Sequence, residues 1–150
     1  MVLFLNACSS SSNEKVAIEK SAINEMQSID SILNMQVVEW NSGKISGYMK
    51  GYWKSDSLRF VTKRGVVKGW NNVNNMYNKG FDSKEKMGVL VFEIYEKTFI
   101  NQEQTIANII GKFRVNKILK NQNIQDTGMF SLVFRKIDQE NWKIIIDHTY

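Results

Sequence analysis

The sequence predicts an α+β fold, with helical segments first and a run of long strands afterwards. Three observations carry the prediction. Apolar residues recur every third or fourth position from Ile18 to Trp40, which is helical periodicity. Four long β-type runs fill the second half. A chain of 150 residues, 43% hydrophobic and 23% charged, is the size and composition of one domain with one core.

Taken in order, Ile18, Ala22, Met26, Ile29, Leu33, Val37 and Trp40 form one stripe of an amphipathic helix, which Asn41-Ser42-Gly43 should end. Ile45 to Trp53 fits a second, shorter helix with Ile45, Tyr48, Met49 and Tyr52 on one side. Leu58 to Lys63 and Val66-Val67, joined around Gly65, read as a small hairpin. Trp70, Val73, Met76 and Tyr77 predict a third helix closing at Lys79-Gly80. The runs Met87 to Ile100, Thr105 to Leu119, Thr127 to Ile137 and Trp142 to Tyr150 predict an antiparallel meander.

Charge and composition narrow the chemistry. The net charge is +5, but the Lys and Arg residues are scattered rather than gathered in a stripe, so a solvated basic surface is favoured over a nucleic-acid footprint. One cysteine and one histidine exclude an intramolecular disulfide and a tetrahedral Cys/His zinc site. No metal and no cofactor are expected. No Gly-x-Ser-x-Gly elbow and no phosphate-binding glycine motif occur.

The chain opens Met1-Val2-Leu3-Phe4-Leu5-Asn6-Ala7-Cys8 and continues Ser9 to Ser12. An apolar stretch, a small residue, a cysteine and a polar spacer resemble a bacterial lipobox and its tether. The resemblance implies lipidation at Cys8 and a lipid-anchored, envelope-facing protein whose only membrane contact is that anchor. Only seven residues precede Cys8 and none is basic, so residues 1–19 read as a truncated, residual signal with its Ser-rich tether.

Within residues 20–150, the segments Glu39 to Ile45, Gly47 to Trp53 and Gly69-Trp70 are similar to the DUF4440 group of SnoaL-like, NTF2-like proteins. Met87 to Leu90, Gly111-Lys112-Phe113 and Trp142 to Thr149 follow in the order that group uses. The pattern departs at Phe113, Lys117 and Tyr150. The resemblance implies an NTF2-like cone, three N-terminal helices against a strongly curved, mainly antiparallel sheet, with a pocket between them. It also implies a homodimer formed through the outer sheet face.

His148 is the natural acid/base candidate, being the one histidine. Simple alternation along its strand puts it on the face of Trp142, Ile144 and Ile146, with Asp147 opposite. Tyr48, Tyr52, Trp53, Trp70 and Tyr77, together with His148, are the candidate ligand-binding residues, although aromatics at helical spacing are more often core. Asp56, Glu93 and Asp147 are available carboxylates that the pattern does not place. Three classes stay open: a module binding a small, partly apolar molecule, an isomerase- or cyclase-type proton-transfer enzyme, and a protein-interaction subunit.

Overall fold

A computed structural model describes residues 10–138 and 141–150. Helix α1 (Ser10–Asn41) is followed by a short helix α2 (Ile45–Tyr48) that tightens into a 3-10 turn over Met49–Gly51. Strands β1 (Arg59–Thr62) and β2 (Gly65–Lys68) lead to α3 (Trp70–Gly80) and a one-turn α4 (Lys84–Met87). Then come β3 (Val89–Phe99), β4 (Ile106–Leu119), β5 (Gln122–Lys136) and β6 (Trp142–Thr149). The sheet order is β2-β1-β6-β5-β4-β3, antiparallel throughout except where β1 lies parallel to β6.

The expected α+β architecture is what forms, and the differences are local. Helix α1 begins at Ser10 rather than Ile18, so part of the segment read as a tether is helical. Lys15, Ala17, Glu19 and Lys20 are strong helix formers and the chain has no proline to stop them. This first stretch from Lys15 to Lys20 is exposed, and burial starts with Ile29, Leu33, Gln36 and Trp40. Cys8 and the lipobox-like run lie outside the described residues. Strand β5 starts at Gln122, earlier than Thr127, because Lys120 and Asn121, with φ of 52° and 61°, make a two-residue turn of the primed type.

Helix and sheet are joined by polar side chains as well as by the core. At the end of α1 the Asn41 amide donates to Leu90 O at 3.1 Å and accepts from Leu90 N at 2.7 Å, and Trp40 Nε1 donates to Met87 O at 3.0 Å. Nearer its start, Glu25 accepts from Trp142 Nε1 at 2.7 Å and pairs with Lys136. Burial works to raise the Glu25 pKa, but the bonds from Lys136 and Trp142 outweigh it and the carboxylate is held below its ordinary range.

Two bulges bend the long strands. One sits between Ile94 and Glu96 in β3. The other interrupts the β5–β6 ladder, where Val133 pairs with Ile146 but Phe134 pairs with Ile144. Such insertions sharpen curvature and re-aim every side chain beyond them.

Glu25→Ala should destabilise the protein by about 2 kcal/mol in urea unfolding, because it strands the buried Trp142 N–H. Glu25→Gln keeps an acceptor for that N–H and should recover about half of the loss.

Candidate functional site

The concave face of the sheet and the helices enclose a cavity of about 310 Å³. Trp40, Phe60, Tyr77, Phe92, Phe113 and Phe130 supply much of its wall, and its polar groups are Gln36, Tyr48, Tyr52, Tyr77, Asp147 and Thr149. Ring contacts hold the wall in shape: Trp40 meets Tyr48 edge-on at 5.1 Å and Tyr48 meets Tyr77 at 5.2 Å.

Asp147 reaches this cavity because of the bulge in β6. Ile145 is the extra residue, so alternation resets after Ile144: Trp142, Ile144 and Asp147 are buried, whereas Ile146 and His148 are exposed. The face assignment from simple alternation is therefore corrected. His148 lies on the outer face beside Tyr150, 5.2 Å between ring centres, and Asp147 takes the inner position.

The neighbours of Asp147 in the sheet are Phe60 on β1 and Leu132 on β5, both buried and apolar. Its Oδ2 accepts from Tyr52 Oη at 2.6 Å and its Oδ1 from Thr149 Oγ1 at 2.6 Å. Burial pushes its pKa up from 3.8 to about 6, although the bonds from Thr149 and Tyr52 and the nearby His148 pull the other way. At neutral pH the carboxylate is thus within reach of both protonation states.

Three phenols stand beside it. The Tyr48, Tyr52 and Tyr77 hydroxyl oxygens form a triangle with sides of 3.4, 3.4 and 3.5 Å, at the outer limit of hydrogen-bond distance. An oxygen seated about 1.8 Å above the centre of the triangle would be about 2.7 Å from all three, the ordinary O–H···O distance. Burial, followed by the charge of Asp147, pushes Tyr48 up to about 12. Burial first, then their charged or ionisable neighbours, places Tyr52 and Tyr77 well above 10.0. All three therefore remain O–H donors under physiological conditions.

Of the residues singled out in the sequence, Tyr48, Tyr52 and Tyr77 come together, while Trp53, Trp70 and His148 do not. Tyr52 has extended backbone, so its neighbour Trp53 turns to the opposite side, where the Arg135 guanidinium lies 4.4 Å from its ring centre. Trp70 donates from Nε1 to Met49 O at 3.3 Å, and both tryptophans line a separate surface groove with Lys50, Lys54 and Lys143. Asp147, Gln36 and Thr149 are the polar cavity residues that the sequence pattern did not place. The bulge that turns Asp147 inward leaves no mark in the alternation of β6, and Gln36 interrupts an apolar stripe only as an isolated polar residue. Among the described residues no group of three His, Cys, Asp or Glu side chains could hold a metal.

No family model matches the sequence, and no curated protein matches it. Solved structures do. An NTF-2-like protein of unknown function from Shewanella oneidensis is 31% identical, with a TM-score of 0.75 over 83% of this chain and 97% of that one. An NTF2-like superfamily protein from Salmonella enterica serovar Typhimurium is 17% identical, with a TM-score of 0.68 over 85% and 90%. A ketosteroid isomerase-like protein from Erwinia carotovora is 14% identical, with a TM-score of 0.62 over 83% and 94%. The last two show likeness of fold alone.

The raised pKa of Asp147 has a defined sign for stability. Between its unfolded value near 3.8 and its folded value near 6 the folded state holds more protons, so this group's contribution falls as pH rises through that window. Urea unfolding from pH 4 to 8 should show wild type losing up to about 3 kcal/mol relative to Asp147→Asn, which keeps the shape without ionising.

Proposed function

The chain belongs to the NTF2-like family, and on that premise we propose that it binds a small, largely apolar molecule in its cone through one oxygen of that molecule. The observation that supports the reading is the tyrosine triangle: three un-ionised phenol oxygens lie within 3.5 Å of one another in the wall of an aromatic cavity. With Asp147 ionised, Tyr52 donates to it and Tyr48 and Tyr77 are left to donate to the ligand oxygen. With Asp147 protonated, the acid donates instead and Tyr52 is released as a third donor.

A second reading, an isomerase-type proton transfer, draws support from Asp147 being the one carboxylate among the residues lining the cavity. Its oxygen would take a proton from the carbon beside a ligand carbonyl while the phenols hold the oxygen on which negative charge develops. The ketosteroid isomerase-like description of the Erwinia fold is consistent with this reading. In this scheme Asp147 replaces His148 as the acid/base group.

The SnoaL-like, DUF4440-type placement, the lipid anchor at Cys8 in the bacterial envelope and the homodimer belong to the same proposal. On the outer face Val133 pairs with Ile146, and Ile110 lies diagonal to Val133, a small apolar patch suited to a second copy. Light scattering should read a dimer for wild type and a monomer for Ile146→Arg; a wild-type monomer would remove the dimer. Fatty-acid labelling should be lost in Cys8→Ser, and labelling that persists would remove the anchor.

Ligand-observed NMR and calorimetry with 1-indanone and its hydrocarbon counterpart indane test the pocket. The ketone should bind about tenfold tighter than indane, more so as pH falls through 6, and the double change Tyr48→Phe, Tyr77→Phe should erase the preference. Equal binding of the two, or none, would contradict the reading. Exchange of the hydrogens beside the ketone in D2O, present in wild type and absent in Asp147→Asn, would select the enzyme; no exchange leaves the binding module.

A further inference from the structure

Gln36 is 1% exposed, lines the same cavity, and has one half of its amide committed. Its Nε2 donates to Tyr48 O at 3.2 Å, which fixes which end of the amide is nitrogen. Gly51 closes behind it: a Cβ there would stand 2.7 Å from both Cδ and Nε2, so only glycine lets the amide lie where it does. Oε1 is consequently held in one orientation, and it is the one buried side-chain polar atom without a hydrogen-bond partner among the described residues. A buried acceptor left unsatisfied is costly, and such atoms are rare in folded proteins.

The neighbouring polar groups do not relieve it. Tyr52 and Thr149 direct their hydroxyls to Asp147, and the Tyr48 and Tyr77 oxygens are engaged only with the other phenols, at 3.4–3.5 Å. The remaining cavity wall offers chiefly aromatic and aliphatic carbon.

Resting on the pocket reading above, we propose that Gln36 is a specificity-determining residue, and that the ligand is bifunctional: an oxygen acceptor for the tyrosine triangle and a hydroxyl or N–H donor for Gln36 Oε1. The ligand class is then a hydroxylated or aminated ring ketone or a similar compact molecule, rather than a plain hydrocarbon or a simple ketone. A cavity of about 310 Å³ suits one or two fused rings at the small end of ligand pockets. A site that hydrogen-bonds a ligand donor discriminates against the analogue lacking it, because its own acceptor is otherwise stranded.

The test compares 1-indanone with 5-hydroxy- and 6-hydroxy-1-indanone on the full chain, by calorimetry and by NMR of the Gln36 side-chain amide. At least one hydroxyketone should bind about tenfold tighter than 1-indanone, with a shift of the Gln36 amide signals that 1-indanone does not produce. In Gln36→Met the hydroxyketone should lose its advantage over 1-indanone, whatever the absolute affinity of either. Equal affinities in wild type with no selective Gln36 shift would overturn this inference and leave the ketone pocket standing. Failure of all three probes to bind would overturn both. The wild-type comparison and the amide signals decide the matter even where Gln36→Met folds poorly.

Discussion

A carboxyl group kept inside an apolar cone is the constraint around which the site is arranged. Asp147 has Phe60 and Leu132 as its sheet neighbours, and two hydroxyls bonded to it at 2.6 Å. An isolated carboxylate could not be tolerated there, and the bonds from Tyr52 and Thr149 make its charged form only partly acceptable. The compromise is a group that titrates near pH 6. Its charge in turn helps keep the surrounding phenols un-ionised, so acid and donors form one coupled unit.

The scaffold exists to hold that unit still. The reciprocal Asn41–Leu90 bonds and the Glu25–Trp142 bond tie α1 to the sheet at two points sixteen residues apart. Between those ties α1 presents Gln36 and Trp40, while α2 and the 3-10 turn after it present Tyr48 and Tyr52. Helix α3 brings Tyr77 across from the other side. Tyr52 bridges to Ile144 of β6, three residues before the Asp147 carboxyl group to which its hydroxyl donates.

Much of the fold was legible because it rests on periodicity. The stripe from Met26 to Trp40, the hairpin around Gly65, the helix from Trp70 to Gly80 and the four long strands each follow from spacing that burial selects. The resemblance carried by Gly47 to Trp53 and Trp142 to Thr149 pointed to the same cone. Tyr48 and Tyr77 were found because they sit on helical faces, where spacing predicts direction, and Tyr52 because it follows Tyr48 by four residues. Trp70, the first residue of α3, lines the separate groove, and Trp53 and His148 were misplaced for a different reason. Whether a side chain points in or out can hinge on a single residue of extended backbone or one inserted strand residue, and neither changes composition. The Lys120-Asn121 turn escaped notice in the same way, since it lacks the glycine that usually marks such turns.

Asp147 is a buried acid in the cavity wall, bonded to Tyr52. Carbon-detected NMR of the Asp147 side-chain carboxyl through a pH titration measures this directly. The midpoint should lie near 6 in wild type and rise further in Tyr52→Phe, where a bond favouring the charged form is lost. A midpoint in the ordinary aspartate range of about 3.9, unmoved by Tyr52→Phe, would place the carboxyl group in water and contradict its burial.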